Sequence, residues 1–330
     1  MPRIRILTEK DLRAAVKLDL RAIDIVAEAF RALAEGRVVM PPVLRMDMEA
    51  ARGEVDVKTA WLPDFENFAI KVSPGFFDNP KKGLASVNGM MTLFSASTGL
   101  VRAVLLDNGY LTDLRTAAAG ALSVRLLARE DASVLGVVGT GVQARMQAEA
   151  IALVRPLRRI KVWGRNPERT LACAADITRR TGIESQACAD IEALARLADI
   201  VVTTTPSRKP LLMKDWLQPG LHVTAMGSDA EHKNELDPAI LAHATLFATD
   251  SRAQSARLGE LRPALDIGLV PADFPATEIG ALVSGTAQGR RSADDITICC
   301  LSGTGAQDTA IANHALTAAE AAGAGVVIES

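Results

Sequence analysis

Apolar and polar residues alternate with a period of two along much of the first hundred positions, a pattern that predicts strands. The alternating runs are 3–8, 54–61, 68–73, 89–95 and 100–106. An amphipathic helix is predicted over 20–34 and ends at Gly36, and a shorter helix is capped by Thr8. These elements predict an antiparallel α+β domain, followed by a long alanine-rich helix that Thr112 or Asp113 caps and that ends near Ala128.

From residue 132 onward, short apolar runs alternate with helical patterns, which is typical of a parallel sheet. The predicted strands are Ser133–Val138, Arg159–Trp163, Ile200–Thr204, His222–Met226, Thr245–Thr249 and Ile296–Leu301. Helices are predicted between them, over 278–289 and over 306–321, and 325–329 is predicted to return to the first domain as an added strand. The fold class is therefore α/β, with a doubly wound Rossmann domain over 121–304. The second domain, of antiparallel α+β type, comprises 1–120 with 305–330.

A glycine-rich turn follows the first of these parallel strands. Gly139-Thr140-Gly141-Val142-Gln143-Ala144 has the G-x-G-x-x-A spacing of a dinucleotide-binding βαβ unit, although an ordinary βα turn is the alternative. Gly139 permits the sharp turn, Gly141 lets backbone amides approach a pyrophosphate, and Ala144 allows close helix–strand packing. Because nearly 140 residues precede this turn, the chain is predicted to provide a substrate platform first and a nicotinamide-type cofactor site second.

The second strand of this unit ends in Gly164-Arg165, and no acid stands where one would bind the ribose hydroxyls. Arg165 could stack on adenine or receive a 2′-phosphate, so NAD(H) is the preferred cofactor and NADP(H) is possible. Thr204, Thr205 and Pro206 follow another parallel strand and are expected beside the dinucleotide. Each threonine hydroxyl could instead be a helix cap.

Composition supports a soluble two-domain enzyme. The 330 residues are 48% hydrophobic and 23% charged, with a net charge of −2, so nothing favours nucleic acid or an anionic membrane as a partner. No apolar stretch reaches the ~20 residues of a membrane span, and the charged N-terminal strand does not resemble a signal peptide, so the cytoplasm is the default location. The four cysteines (Cys173, Cys188, Cys299 and Cys300) are expected to be reduced thiols, and no metal site is predicted.

Three ordered motifs together resemble the ornithine cyclodeaminase/μ-crystallin family. They are the segment 111–119 (LTDLRTAAA), the glycine turn at Gly139, and Gly227-Ser228-Asp229 with Lys233-Asn234-Glu235-Leu236. The segments 53–60, 71–80 and 106–112 are most similar to a subgroup of ectoine-utilisation cyclodeaminases, which also resembles iminosuccinate reductase. The resemblance implies an N-terminal domain for substrate binding and dimerisation, a Rossmann domain after it, and a homodimer.

The resemblance also implies roles for individual residues. Arg45, Lys71 and Arg115 fall at positions that hold the substrate α-carboxylate, with Lys71 also catalytic, and Asp229 at the position of the proton-transfer carboxylate. Arginine forks suit a carboxylate, and Lys71 lies in an apolar strand, although each cation alone could be a surface residue. Asp229 could instead be a helix N-cap. The residues expected at the cofactor are Thr112, Arg115, Gly139, Thr140, Gly141, Val142, Gln143, Gly164, Arg165, Thr204, Thr205, Pro206, Met226, Gly227, Ser228 and Asp229.

One departure from the family bears on the substrate. Cyclodeaminases that act on ornithine carry a glutamate, on the strand before the active-site lysine, that receives the distal ammonium. The matching position here is Lys58 or Ala60, and neither is an acid. This disfavours ornithine and favours a small dicarboxylic substrate whose second carboxylate meets Lys58. Lys58 could also be a surface lysine on an edge strand, and His232 near Asp229 is either an assisting group or a solvated side chain.

These residues predict an NAD(P)H-dependent imine reductase that converts iminosuccinate to aspartate. The first alternative is an NAD-dependent cyclodeaminase, in which the hydride leaves and returns and ammonia is lost. The second is a μ-crystallin-like protein that binds a small molecule without turnover.

Overall fold

The computed structural model describes residues 3–329 and divides them into two units, each with its own sheet. The first unit runs up to Arg115 and resumes at Thr304, and the second is Thr116–Gly303. The first boundary, after Arg115, lies five residues before the predicted boundary after residue 120. The second boundary, before Thr304, lies one residue before the predicted boundary at residue 305.

The helices and strands follow the predicted order. They are β1 (Arg3–Thr8), α1 (Glu9–Ala15), α2 (Leu20–Ala34), β2 (Leu44–Met48), β3 (Gly53–Ala60), β4 (Asn67–Phe76), β5 (Met90–Ser95), β6 (Val101–Leu106), α3 (Tyr110–Leu127), β7 (Val134–Val138), α4 (Val142–Ala152), β8 (Arg159–Trp163), α5 (Pro167–Thr181), β9 (Ser185–Ala187), α6 (Ile191–Leu197), β10 (Ile200–Thr203), β11 (His222–Ala225), α7 (Ala239–His243), β12 (Leu246–Thr249), α8 (Arg252–Ser255), α9 (Leu261–Asp266), β13 (Thr277–Glu278), α10 (Ile279–Val283), β14 (Thr297–Cys300), α11 (Gly305–Ala321) and β15 (Val326–Glu329).

The sheet of the first unit has the order β15-β1-β6-β5-β4-β3-β2. The added strand near the C-terminus is confirmed, since β15 pairs antiparallel with β1. The sheet is mixed and not wholly antiparallel as predicted, because β1 runs parallel to β6. Alternation with a period of two reports which face a residue occupies and carries no information on strand direction.

Helix α3 begins at Tyr110, so the prediction that Thr112 or Asp113 caps it is wrong. Asp107 provides the capping interaction instead, since its Oδ2 accepts a hydrogen bond of 2.8 Å from the Leu111 N–H. Both predicted caps lie inside the first turns of the helix. The helix predicted over 278–289 is also too long, because α10 ends at Val283.

The sheet of the second unit is parallel throughout, in the order β13-β12-β14-β11-β10-β7-β8-β9. From β7 the chain proceeds outward to β8 and β9, then returns to the other side of β7 as β10. The switch point of this doubly wound sheet therefore lies between the ends of β7 and β10, where open α/β sheets bind their ligands. The predicted fold class is confirmed.

The four cysteines are free thiols, as predicted; three are buried and Cys188 is partly exposed. Among residues 3–329, no helix is both long and apolar enough to cross a bilayer.

A buried histidine occupies the centre of the second sheet. His222 has no exposed surface, and its ring nitrogens lie within 3.1 Å of three hydroxyl groups, those of Ser123, Thr224 and Thr297. Burial, with the charges of Arg290 and Arg155, lowers the pKa of His222 to about 3. The imidazole is therefore neutral in the folded protein at every pH at which the fold is expected to be stable.

This histidine should make stability depend on pH. Because its pKa is lower in the folded than in the unfolded state, the unfolded chain binds the extra proton below pH 6.5, and stability falls as pH falls through that value. At pH 5 we expect the wild type to have lost about 2 kcal/mol more than His222→Gln, relative to pH 8. Urea denaturation of both proteins at the two pH values measures the difference, since the carboxylates common to both cancel. Parallel pH profiles would contradict the assignment.

Candidate active site

A cluster of buried charges lies on one face of the first sheet. Lys71 of β4 stands directly opposite Lys58 of β3, and the two residues are only 2% and 7% exposed. Lys71 Nζ is 2.9 Å from Asp308 Oδ2, and Arg115 Nε donates a 2.8 Å hydrogen bond to Asp308 Oδ1. Asp308 thus holds together two of the three cations predicted to bind the substrate carboxylate.

Lys58 belongs to this cluster, so the alternative of a surface lysine on an edge strand is wrong. Strand β3 lies between β2 and β4 and is not at the sheet edge. Ala60, the other position considered, lies at the end of the strand, where its carbonyl accepts a 2.8 Å hydrogen bond from the Thr309 hydroxyl. The strand register therefore places Lys58, and not Ala60, opposite the predicted catalytic lysine.

Sequence reasoning missed Asp308. It lies in the first turn of α11, where the helix dipole stabilises a negative charge. The helix is held against the ends of β3 and β4 because Thr309 bonds to both Ala60 and Ala69. In the sequence, the signal for this residue was an acid within an alanine-rich stretch. The structure shows that this stretch is buried. Arg115, which it binds, is 193 residues away in the chain.

Burial and neighbouring charges act on the protonation of this cluster. Burial lowers the pKa of Lys71 to about 7, and the neighbouring charges of Arg115 and Lys58 act in the same direction, while Asp308 opposes them. Burial alone would raise the pKa of Asp308, but Arg115 and Lys71 outweigh it and lower the pKa below its usual value. Asp308 is therefore ionised and binds two basic side chains, and Lys58 lies beside them. This arrangement suits an anionic ligand.

Arg45 has different partners. It lies in the edge strand β2, and its guanidinium is 3.0 Å from Asp47, 2.5 Å from Glu54 and 3.4 Å from Asp56. The strand register places it on the same face as Lys58 and Lys71. Its predicted role in binding the α-carboxylate stays a prediction, because three acids already surround it.

The glycine turn of the second unit has the shape that a dinucleotide requires. Gly139 has a φ of 132°, and a Cβ there would lie 2.3 Å from the Thr204 hydroxyl oxygen. A Cβ on Gly141 would meet nothing within 4 Å, so the space in front of α4 is open. The first N–H groups of this 11-residue helix have no side-chain cap, and Val142 is exposed beside them. These residues fit a pyrophosphate.

The turn after β8 leaves Arg165 exposed, with no hydrogen bond or ion pair to any residue in the described part of the chain. Asn166, the next residue, caps α5 by accepting a hydrogen bond from the Arg169 N–H. Arg165 is therefore available to a ligand, and this geometry does not separate NAD(H) from NADP(H).

The first helical turn after β10 is a 3-10 turn over Lys214–Trp216, so the alternative that Thr204 and Thr205 are helix caps is wrong. The Thr204 N–H and hydroxyl both donate to the Val138 carbonyl, which ties this loop to the glycine turn. The Thr205 N–H and hydroxyl donate to the Glu235 carboxylate. Pro206 is exposed.

The loop after β11 carries Met226, Gly227, Ser228 and Asp229, and it remains irregular up to the start of α7 at Ala239. The helix N-cap alternative for Asp229 is therefore wrong. Lys233 Nζ donates a 2.6 Å hydrogen bond to Asp229 Oδ1, and its side chain is nearly buried. His232 is exposed. Sequence reasoning missed Lys233 as the partner of Asp229, although the i, i+4 spacing was visible.

Comparison with known proteins reveals close relatives of full length. The chain is 55% identical to a putative dehydrogenase, RB0419, from Rhizobium meliloti and 52% identical to the uncharacterised cyclodeaminase y4tK from Sinorhizobium fredii; both matches cover 100% of each chain. It is 34% identical to the iminosuccinate reductase of Paracoccus denitrificans, over 98% of this chain and 99% of that one.

Solved structures have the same fold. The Δ1-pyrroline-2-carboxylate reductase of Thermococcus litoralis, in complex with NADH and L-proline, has a TM-score of 0.93 at 27% identity, covering 98% of this chain and 99% of that one. An archaeal alanine dehydrogenase dimer with bound NAD has a TM-score of 0.91 at 32% identity, covering 99% of both chains. The Paracoccus denitrificans iminosuccinate reductase with NAD⁺ has a TM-score of 0.91 at 32% identity, covering 99% of this chain and 100% of that one.

These relatives confirm, at the level of the family, the prediction of a nicotinamide cofactor, since all three solved proteins bind NAD(H). The model of the ornithine cyclodeaminase/mu-crystallin family matches residues 4–321, nearly the whole length. Together with the full-length relatives and the three ordered motifs, this match shows that the chain belongs to the ornithine cyclodeaminase/mu-crystallin family.

Proposed function

We propose that the protein is an NAD(P)H-dependent imine reductase that converts iminosuccinate to aspartate. The observation that carries this proposal is the buried cluster in which Lys71 and Arg115 bind the carboxylate of Asp308 and Lys58 stands opposite Lys71. A second carboxylate on the substrate suits the buried ammonium of Lys58 better than a distal ammonium does. The Paracoccus denitrificans relative, named as an iminosuccinate reductase, supports the substrate assignment.

The cofactor would be held by the glycine turn, from Gly139 to Gln143, and by the loops that contain Thr204–Pro206 and Met226–Asp229. NADH or NADPH, when bound, supplies the hydride that reduces the imine carbon. The balanced reaction takes iminosuccinate, NAD(P)H and one proton to aspartate and NAD(P)⁺. The solved relatives favour NAD(H), and the exposed Arg165 keeps NADP(H) possible.

The remaining steps belong to side chains of this protein. Lys71 and Arg115, with Arg45, bind the α-carboxylate, and Asp308 keeps Lys71 and Arg115 oriented before the substrate arrives. Lys58 binds the second carboxylate. Asp229 transfers the proton to the imine nitrogen, and its bond to Lys233 fixes the carboxylate in one orientation. Lys71, whose pKa burial lowers to about 7, also exchanges protons near neutral pH.

The proposal includes a homodimer formed through the first sheet. The face opposite the charged cluster carries apolar side chains, which strand pairing places side by side: Leu44, Met46, Val55, Val57 and Val72. Leu44 and Met46 are more than half exposed, at an edge strand that would otherwise stay open. The archaeal alanine dehydrogenase relative, described as a dimer, supports this arrangement.

A cyclodeaminase is the second candidate function, favoured by the 52% identity to y4tK.

One experiment separates the reductase from the cyclodeaminase. Oxidation of NADH and NADPH is measured at 340 nm with oxaloacetate plus ammonium, with pyruvate plus ammonium as the comparison, and the amino acid formed is then identified. Rapid oxidation with oxaloacetate and ammonium, yielding aspartate, supports the reductase. Ammonia release from a diamino acid without net cofactor oxidation, and no oxidation with any imine, would replace the reductase by the cyclodeaminase.

Lys58→Met tests the dicarboxylate assignment. We expect kcat/KM for iminosuccinate to fall about 10- to 100-fold, because a charge-assisted hydrogen bond contributes roughly 1.5–3 kcal/mol. The imine of pyruvate lacks the second carboxylate, so its kcat/KM should change by less than about threefold. Steady-state kinetics with both imines measure the ratio. Equal losses for the two substrates would mean that Lys58 acts through Lys71 and does not contact the second carboxylate.

A further inference from the structure

The side chain of Glu235 joins two loops of the cofactor site. One carboxylate oxygen accepts the Thr205 N–H at 2.6 Å and the Thr205 hydroxyl at 2.7 Å. The other accepts the Thr203 hydroxyl at 2.7 Å and the Gly227 N–H at 2.8 Å. Glu235 is wholly buried, so four donors from the ends of β10 and β11 converge on one carboxylate that does not contact solvent.

The two loops approach each other so closely that position 227 has no room for a side chain. A Cβ on Gly227 would lie 2.0 Å from the Thr205 carbonyl oxygen and 2.7 Å from the Glu235 carboxylate. The first loop also bonds to Val138 through Thr204, immediately before the glycine turn. The Glu235 carboxylate therefore joins the loops after β10 and β11 directly. Through Thr204 and Val138 it is also linked to the glycine turn, whereas the turn after β8 is not part of this network.

A second buried acid lies behind the first. Glu260 is 1% exposed and accepts hydrogen bonds from the N–H groups of Glu235 and Leu236 and from the Asn234 side chain. Burial and the charge of Glu235 raise the pKa of Glu260 to about 7. Burial also raises the pKa of Glu235, but its hydrogen bonds from Thr205, Thr203 and Gly227 act in the opposite direction. The net effect is a raised pKa for Glu235, although its four donors favour the ionised form.

We propose that Glu235 is a positioning residue, which holds the loop after β10 and the loop after β11 in the single arrangement that binds the nicotinamide cofactor and presents Asp229. The inference rests on the cofactor part of the proposed function and not on the identity of the imine. Glu235 acts through Thr205 and Gly227 and does not itself contact the ligand.

Glu235→Gln is the direct test. The NH2 nitrogen of glutamine cannot accept a hydrogen bond, so whichever of the Thr205 N–H and the Gly227 N–H faces it loses its partner. We expect the Kd for NADH, measured by fluorescence titration, to rise about tenfold or more, since one buried unpaired donor costs roughly 1–3 kcal/mol. Amide hydrogen exchange should become faster at 203–206 and 226–229. Thr203→Val is a milder, nearly isosteric variant that removes one donor, and it should raise Kd about two- to fivefold.

Asp199→Asn is the matched control. Asp199 also joins segments of the same sheet, since it accepts the N–H groups of Ser133 and Val134 at 2.9 and 3.0 Å, but it does so at the amino end of β7. This variant should lower the melting temperature and leave the Kd for NADH within about twofold of the wild-type value.

Unchanged NADH binding in both Glu235→Gln and Thr203→Val, with a loss of melting temperature like that of Asp199→Asn, would reduce Glu235 to a purely structural role. A wild-type protein that binds neither NADH nor NADPH would overturn the cofactor site and this role together. Tight NADH binding without reduction of any imine would reject the reductase and leave the role of Glu235 intact.

Discussion

Replacing Lys71 by methionine is expected to lower kcat/KM for the imine by about 10²- to 10³-fold, because breaking a buried ion pair costs roughly 3–5 kcal/mol. Methionine is unbranched like lysine and one atom shorter, and it removes the charge that lies 2.9 Å from Asp308. The substrate carboxylate then loses one of its ligands, and Asp308 keeps Arg115 as a partner. Steady-state kinetics with iminosuccinate measure the loss.

The Kd for NADH serves as the internal control in this experiment. Lys71 is assigned to the substrate carboxylate and is not among the residues expected at the cofactor, so Lys71→Met should bind NADH like the wild type. Arg13→Met, which removes an exposed cation of the same unit, controls for the loss of charge. A kcat/KM within about tenfold of the wild-type value would contradict the assignment of Lys71 to the substrate carboxylate.

Asp229→Asn is expected to lower kcat about 10²- to 10⁴-fold, the range that a positioned general acid or base contributes. Asparagine has the same shape and still accepts the hydrogen bond from Lys233, so the loop should keep its conformation. The loss should appear in kcat, while the Kd for NADH stays within a few-fold. Rapid-mixing measurements of cofactor oxidation separate the chemical step from cofactor binding.

Glu231→Gln is the control for Asp229→Asn. Glu231 lies two residues further along the same loop, is exposed, and pairs with Arg257 at the surface. Its substitution removes the same charge and should leave kcat nearly unchanged. Full turnover by an Asp229→Asn protein that binds NADH would refute the proton-transfer role.

The sequence predicts the parallel sheet well because its strands are buried on both faces and appear as short, continuous apolar runs. All six predicted strands of this sheet match the structure to within one residue at each end. The start of α3 was misplaced because Thr112 and Asp113 have good capping side chains, whereas the capping interaction comes from Asp107, before a turn at Asn108 and Gly109 with positive φ. Asparagine and glycine are the residues that most often adopt positive φ, but their presence alone does not show that they do so at this position.

The candidate site was predictable only in part. Lys71 and Arg115 lie within motifs, and an apolar strand around a lysine signals burial. Asp308 lies outside the motifs, and Glu235 lies within the third motif without an assigned role, since each acid becomes important through partners brought close by folding. The choice between Lys58 and Ala60 required the strand register, which sequence patterning left uncertain by two residues.

The strand β15 and the helix α11 give the chain an order of assembly. Residues 116–303 are contiguous, so the second unit can fold as soon as its own sequence has left the ribosome. The first unit is discontinuous: β1 waits for its neighbour β15, and Lys71 and Arg115 wait for Asp308, until more than 300 residues have been synthesised. The unit whose synthesis begins first is therefore completed last, and the two cations that it buries lack their counter-ion until Asp308 has been synthesised.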